Sequence, residues 1–514
     1  MLQECQSHRV YLISSALARA ESQYPDQPAS ICGDTRHSYA ELAQRSRRLS
    51  GALEALGVEP GDRVATLMLN CHRYLETYFG IPAIGAVLVP LNNRHAVAEH
   101  SYICEDADIQ VLIVDGAHVE IAHKLRAVVN HVIVAPDGYE ALLAAAAEVP
   151  AREDLDPESL AGLFYTGGTT GASKGVMLSH RNLMTNSLHL AIATGYCETD
   201  RYLHTAPMFH LADGASTFGL TWLGGTHVFL PTFDPGAVLE TIAAESVTAC
   251  MLVPTMINAV VNDPRTANTD LSSLRLILHG GAPIAPDLLR RAIAACGCSF
   301  MQAYGMTEAA PVVTVLANEE TLVDDERIGS AGRSVAGVEV RVAHPDGSLC
   351  DVGEVGEILV RGPNVMSGYW NKPAETAAAL RDGWYWSGDL ARQDARGYVY
   401  IVDRSKDMVI SGGENVYSTE VEAAIYAHPA VLEAAVIGIP DTKWGEAVHA
   451  VVVLKPEAEV TAEDLRKHCK ELIAGYKCPR SVEFVGVLPK SGAGKILKKD
   501  LRDPYWAEQG RSVN

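Results

Sequence analysis

A chain of 514 residues is too long for one hydrophobic core and, at about 150 residues per unit, implies roughly three or four packed units. Its 48% hydrophobic content excludes a disordered chain, and a formal net charge of −21 argues against nucleic acid or an anionic membrane surface as the main partner. Eleven cysteines without a Cys-x-x-Cys pair point to buried thiols in a reducing cytosol rather than a disulfide framework. The two nearest neighbours, Cys296 and Cys298, have no flanking metal-ligand histidine.

The first stretch, Val10 to Ala18, mimics a short signal sequence. Glu4 upstream and helical spacing past Ala20 favour an ordinary first helix. No apolar run reaches the roughly 18 residues that a membrane span needs, so a cytoplasmic protein is expected. Ser38 and Glu41 have capping-box spacing before a helical run to about Leu56. Arg63 to Leu69 follows as a strand, Arg73 to Ile81 as a helix and Gly85 to Leu91 as another strand. This βα rhythm predicts a parallel, doubly wound sheet.

Leu163 and Phe164 then lead into Tyr165-Thr166-Gly167-Gly168-Thr169-Thr170-Gly171-Ala172-Ser173-Lys174-Gly175. Glycines let a ligand approach the backbone, while amides and hydroxyls donate to an anion, a polyphosphate first of all. It is not the P-loop pattern, since Lys174 does not follow a glycine directly and no Ser or Thr comes after it. A flexible Gly/Thr linker is the plain alternative. The exit, Val176-Met177-Leu178, suits a strand or a helix.

The rhythm resumes with a strand at Val247 to Val253 and a helix at Thr255 to Val261. A strand from Leu274 to Leu278 runs into Gly280-Gly281-Ala282-Pro283. After a helix near Asp287 to Ala295, the strand Ser299 to Gln302 ends at Tyr304-Gly305-Met306-Thr307-Glu308. Two strand ends thus carry polar, glycine-bearing loops, where open α/β sheets bind ligands. From about Arg327 to Val402, short alternating runs between Gly and Pro turns predict a small antiparallel sheet. An α+β unit closes the chain, with a helix near Thr419 to Tyr426 and strands at Ala434 to Ile439 and Val448 to Leu454. A charged helix begins near Thr461, and the junction at Asp403 to Asp407 suits a hinge.

Taken singly, the other polar features have ordinary structural readings. Glu308 suits a helix-start pair, Asp389 a turn, Lys495 a solvated loop and His210 a satisfied core histidine. Their order along the chain is what gives them weight. Pro207-Met208-Phe209-His210, Ser387-Gly388-Asp389, Arg404-Ser405-Lys406-Asp407 and Gly494-Lys495 complete a series begun by the Gly/Thr loop and the two strand-end loops. In that order the segments resemble the adenylate-forming superfamily of acyl-CoA synthetases, standalone adenylation enzymes and firefly-type luciferases. The resemblance runs from the first βα units to Lys499.

It implies a two-step ligase, in which a small-molecule monocarboxylic acid attacks the α-phosphorus of ATP and a thiol, CoA, then displaces AMP. It implies a large AMP-binding domain over 1–403, built of doubly wound βα subdomains with a β-subdomain at about 327–402. A small mobile α+β domain over 404–514 follows, hinged near Lys406. Thr166, Gly167, Gly168, Thr169, Thr170 and Lys174 would hold the β- and γ-phosphates. Gly280, Gly281 and Ala282 would line the adenine, with Tyr304 stacked on it and Gln302 and Ala303 nearby. Asp389 would accept the ribose hydroxyls with Arg404 beside it, and Thr307 would meet the α-phosphate. Glu308 would bind Mg²⁺, and Lys495 would bridge the attacking carboxylate and the α-phosphate. Gly412 and Gly413 would line the pantetheine tunnel, and Phe209 and His210 would gate the acyl pocket.

Gly168 stands where many relatives have Ser, which removes one donor but leaves the backbone amides. Small apolar segments near Leu211 to Ala215 and Ala309 to Val313 favour a fatty, aryl or alicyclic acid. Asp213, the charge among them, is expected to face backbone or water rather than a substrate amine. A ligase loading a carrier protein is the enzyme alternative, with a luciferase-like oxygenase further off. A nucleotide-binding pseudoenzyme is the non-enzyme reading, but it predicts damage to Lys495, Glu308, Asp389 or Arg404, and all four are present. No nucleic-acid partner is expected, and homodimerisation is left open.

Overall fold

The computed structural model describes residues 11–166, 173–282, 284, 286–317, 327–490 and 496–507. Two large sheets organise the first four-fifths of it. A seven-stranded sheet runs Gly368–Tyr369, Lys174–Ser179, Leu160–Thr166, Val87–Pro90, Arg63–Leu67, Ile109–Val114 and His131–Val134 from edge to edge. Its last five strands are parallel, and the first two pairings are antiparallel. A nine-stranded sheet runs Arg333–Ser334, Val312–Leu316, Ser299–Gly305, Leu276–Gly280, Ala249–Met251, Arg201–His204, Thr226–Phe229, Pro28–Cys32 and Thr35–Ser38. Six central strands are parallel, with antiparallel additions at both edges.

The reason lies in the residues. Val87–Pro90, Thr226–Phe229 and Leu276–Gly280 are buried at every position, the pattern of strands covered by helices on both faces. Helices supply that cover, and the helix Tyr39–Ala55 starts on the expected capping box. Ser38 Oγ accepts from the Glu41 amide at 3.2 Å, and the Ser38 amide donates to the Glu41 carboxylate at 2.8 Å. One apolar core draws on both sheets, with Leu88 and Val228 among its members.

The region from Arg327 to Val402 is less self-contained than its alternation suggested. Glu339–Ala343, Val355–Arg361, Trp384–Gln393, Leu380–Arg381 and Val399–Arg404 do form an antiparallel sheet. Arg333–Ser334, however, extends the nine-stranded sheet, and Gly368–Tyr369 extends the seven-stranded one. Two-residue strands carry no alternation to read, while the open edge of a large sheet offers unpaired donors and acceptors that capture them. The exit from the Gly/Thr loop, left open between strand and helix, is the strand Lys174–Ser179.

The last sheet contains Val409–Ser411, Glu414–Val416, Val431–Asp441, Gly445–Leu454 and Ser481–Phe484 and has its own apolar cluster. The helices Ser418–Tyr426, Ala462–Leu472 and Lys498–Trp506 accompany it. Where it meets the preceding sheet, Asp403 is buried and accepts from the Ser418 amide at 2.5 Å and its hydroxyl at 3.0 Å. Lys498 donates to the same hydroxyl at 2.6 Å and pairs with Glu422 at 2.7 Å. Arg502 donates to the Lys406 carbonyl at 2.8 Å. Burial, with Arg404 nearby, lowers the Lys406 ammonium to about 8.

Among the described residues, no helix is long and apolar enough to cross a membrane. Ten cysteines fall within them; all are free, and six are buried.

Candidate active site

The parallel strands Leu276–Gly280 and Ser299–Gly305 lie side by side, with His279 opposite Gln302 and Gly280 opposite Ala303. A side chain on Gly280 would collide with the Ala303 carbonyl, so glycine permits this close approach. Gly281 turns the chain away at a φ of 76°, a left-handed conformation that glycine adopts without strain. Gly280 to Ala282 and Gln302 to Tyr304 therefore meet at the carboxyl edge of the sheet, as expected of a ligand cleft.

Side chains from other elements converge there. The Tyr304 hydroxyl donates to Asp389 Oδ2 at 2.8 Å, and Arg404 Nε lies 3.3 Å from Asp389 Oδ1. Antiparallel pairing sets Asp389 opposite Arg404, while Gly388 is held by its amide on the Glu357 carboxylate at 2.8 Å. Burial, with the Asp389 charge beside it, raises the Tyr304 phenol well above its ordinary range and keeps it a neutral donor.

Thr307 and Glu308 occupy a short 3₁₀ turn, Thr307–Ala309, just past that strand end. Glu308 Oε1 accepts from the Tyr369 hydroxyl at 2.9 Å, and its carbonyl accepts from the Met366 amide at 2.8 Å. Burial raises the Glu308 carboxyl; its backbone hydrogen bond, Tyr369 and the Arg404 charge oppose that rise. Tyr369 pairs in the sheet with Val176, and the Trp370 amide donates to the Gly175 carbonyl at 2.8 Å. Lys174 Nζ stands 5.0 Å from the centre of the Tyr369 ring. Lys174 and Glu308 thus both contact one phenol, the first at its ring and the second at its hydroxyl.

The structure thus brings Lys174, Gly280, Gly281, Ala282, Gln302, Ala303, Tyr304, Thr307, Glu308, Asp389 and Arg404 into adjoining loops and strands, with Thr166 opposite Lys174 in register. Gly167, Gly168, Thr169, Thr170 and Lys495 lie outside the described residues. Gly412 and Gly413 form the turn between Val409–Ser411 and Glu414–Val416, and the Gly412 amide donates to the Trp444 carbonyl at 2.8 Å. Phe209 and His210 pack with ring centres 4.2 Å apart. Burial, with His95 and Arg94 close by, lowers His210 to about 4, so its imidazole is neutral. Its Nε2 is buried and has no hydrogen-bond partner among the described residues.

Asp213 corrects the sequence reading. It is fully buried and faces neither water nor an open pocket, for His204 Nδ1 lies 2.6 Å from Oδ2 and the Tyr202 hydroxyl donates to Oδ1 at 3.1 Å. His204 continues to His227 at 2.9 Å, and His227 to Thr221 at 2.9 Å. The carboxylate anchors the helix Leu211–Leu223 to the strands below it. Tyr369 was missed altogether: its strand is two residues long, and only the folded chain places it against Glu308.

Glu308 just past one glycine-bearing strand end and Asp389 hydrogen-bonded to Tyr304 give the carboxyl edge of the parallel sheet the acidic lining of a ligand cleft, and a small α+β unit follows it in the chain. Residues 17–370 match the family model for AMP-binding enzymes, and residues 420–495 match that for the AMP-binding enzyme C-terminal domain. The chain belongs to the AMP-binding enzyme family. It is an AMP-forming acid–CoA ligase, with ATP and CoA as co-substrates.

Feruloyl-CoA synthase of Amycolatopsis sp is 45% identical over 489 residues, covering 93% of this chain and 96% of that protein. The medium/long-chain-fatty-acid–CoA ligase FadD8 of Mycobacterium tuberculosis is 36% identical, over 99% of this chain and 92% of its own. Among solved structures, ATP-bound MatB from Rhodopseudomonas palustris superposes with a TM-score of 0.89 at 35% identity, covering 96% and 99% of the two chains. O-succinylbenzoate CoA synthetase from Bacillus subtilis, holding its acyl-adenylate intermediate, gives 0.87 at 32% identity over 97% and 99%.

Proposed function

We propose that this ligase activates an aryl-substituted monocarboxylic acid of the feruloyl type, with medium- or long-chain fatty acids as the second reading. The convergence of Tyr304, Glu308, Asp389 and Arg404 carries the reaction assignment. The acid rests on similarity to the feruloyl-CoA synthase and on Phe209 and His210. An aromatic face beside a neutral, unpartnered imidazole nitrogen suits a flat substrate bearing a hydroxyl. The fatty-acid reading rests on FadD8.

The chemistry brings an anionic carboxylate to a polyanionic triphosphate, so positioning and charge neutralisation carry most of the rate. Thr166, Gly167, Gly168, Thr169, Thr170 and Lys174 take the β- and γ-phosphates. Adenine lies between Gly280–Ala282 and Tyr304, beside Gln302 and Ala303, and Asp389 accepts both ribose hydroxyls with Arg404 adjacent. Thr307 meets the α-phosphate, and Lys495 joins it to the attacking carboxylate oxygen.

Glu308 suits Mg²⁺, because its partly buried carboxylate is hydrogen-bonded by a neutral phenol and, among the described residues, is in no ion pair with a lysine or arginine. Bound there with the phosphates, the ion would offset their charge. Residues 1–403 and 404–514 act as two bodies about Lys406, and the second body exchanges Lys495 for Gly412 and Gly413 between half-reactions. The Asp403–Ser418 and Arg502–Lys406 contacts support this reading, since they hold both flanks of the pivot.

A pyrophosphate-release screen with CoA present, across hydroxycinnamic, alicyclic, and short-, medium- and long-chain acids, tests the substrate. Fastest turnover is expected with a hydroxycinnamic acid; faster turnover of a fatty acid would replace the first reading by the second. Lys406→Pro is expected to leave adenylation within about threefold and slow thioester formation at least about tenfold, because proline fixes φ and restricts the preceding residue. Single-turnover measurements of each half-reaction check this, and equal slowing of both counts against Lys406 as the pivot.

A further inference from the structure

Among the described residues outside the cleft, two trios of side chains gather as metal ligands do: His37, His72 and Glu76, and His344, Cys350 and Glu354. In each, one donor atom per residue lies within 4.8 Å of the others. What the carboxylate already holds separates them. Glu76 is gripped by Arg45 Nε at 2.7 Å and by the Tyr139 hydroxyl at 2.7 Å. A guanidinium in that place neutralises the carboxylate and repels a second cation. The first trio is therefore committed to an ion pair.

The second trio sits on the connection between Glu339–Ala343 and Val355–Arg361, and the backbone fixes its ligands. His344 donates its amide to the Ser348 carbonyl at 2.8 Å, and Cys350 to the Val342 carbonyl at 3.0 Å. The Glu354 amide donates to the Asp351 carbonyl at 3.0 Å, while the Asp351 amide donates back to Glu354 Oε2 at 2.9 Å. A side chain at Gly356 would press on the Cys350 sulfur, so this glycine leaves the thiol its place. All three residues reach solvent to some degree, which gives an ion a path.

We propose that His344 Nε2, Cys350 Sγ and a Glu354 carboxylate oxygen form a site for a thiophilic divalent cation of the Zn²⁺ class, with water as fourth ligand. A tetrahedron with bonds of about 2.1 Å, the usual zinc–nitrogen and zinc–oxygen length, has edges of about 3.4 Å. His344 Nε2 lies 3.4 Å from Glu354 Oε2. Thiolate, imidazole and carboxylate together favour zinc over magnesium or calcium, which take oxygen ligands. Burial, then the charges of Glu354 and Asp351, raise the Cys350 thiol; the same anionic surroundings draw in a cation. On binding, the thiol proton passes to solvent and a metal–sulfur bond takes its place, with no change of oxidation state.

Titration of the full chain with Co²⁺, in excess Mg²⁺ and without ATP, tests the site. Wild type is expected to bind one equivalent that shows tetrahedral d–d bands and a thiolate-to-cobalt charge-transfer band. Cys350→Ser should lose the charge-transfer band, and His344→Ala should weaken binding at least about tenfold. Zn²⁺ should raise the melting temperature of wild type but not of Cys350→Ser, whose metal-free melting point reports that it folds. A charge-transfer band undiminished in Cys350→Ser, or none in wild type, overturns the proposal.

Discussion

Replacing Lys495 with alanine is expected to lower acyl-adenylate formation by about 10²-fold to 10³-fold, the loss typical of one donor aimed at developing charge. Thioester formation from supplied acyl-adenylate should stay within about twofold, because an interaction made in only one transition state is missed only there. The selectivity follows from charge. In the arrangement proposed above the lysine would offset repulsion between the acid and the α-phosphate, and that repulsion is gone once the adenylate exists. ATP–pyrophosphate exchange reads the first step, and single-turnover transfer to CoA reads the second. If both fell together, Lys495 would be supporting the fold or the ligand pocket in general, and the two-body account would lose its main prop.

Glu308→Gln should make the protein inactive and more stable at once. Adenylation is expected to fall by about 10²-fold, since the amide keeps the Tyr369 hydrogen bond but offers a cation no charge. The melting temperature at neutral pH should rise by on the order of 2 °C. The sign comes from the direction of the shift: burial raises the Glu308 carboxyl, so the folded chain holds this proton to higher pH than the unfolded chain does. Below the ordinary glutamate range both states are protonated and there is no penalty. As pH rises through the raised value, the folded carboxylate ionises where water reaches it poorly, and stability is lost. Melting scans of both proteins across that window should diverge as pH increases. If the Glu308→Gln variant melted lower at neutral pH, the charge would be stabilising the fold, against the reading of a carboxylate waiting for a cation.

Much of this was legible before folding, and the reasons are local. Ser38 and Glu41 could be read as a helix start because a capping box needs only neighbours three residues apart. The strand ends at Gly280 and Tyr304 could be read because hydrophobic runs break abruptly into glycine and polar residues. Tyr369 and Asp213 were illegible for the opposite reason. The partner of Tyr369 is Glu308 and that of Asp213 is His204, pairs that nothing in period or composition announces. Asp213 also shows the limit of reading charge from a helix segment: a buried acid can be fully occupied by an imidazole and a phenol. The order of the motifs carried the reaction, but the identity of the acid depends on the shape of a pocket assembled from distant segments.

The junction around Asp403 bears on how this protein can be taken apart. By strand pairing Asp403 belongs with Trp384–Gln393, yet its carboxylate caps the helix Ser418–Tyr426 and shares Ser418 with Lys498. A cut between residues 403 and 404, the boundary proposed above for the two bodies, would leave Lys498 without the Asp403 charge and strip the helix of its cap. Split reporters, domain swaps and separately expressed halves are better divided upstream of Asp403, so that this one anion travels with the smaller piece.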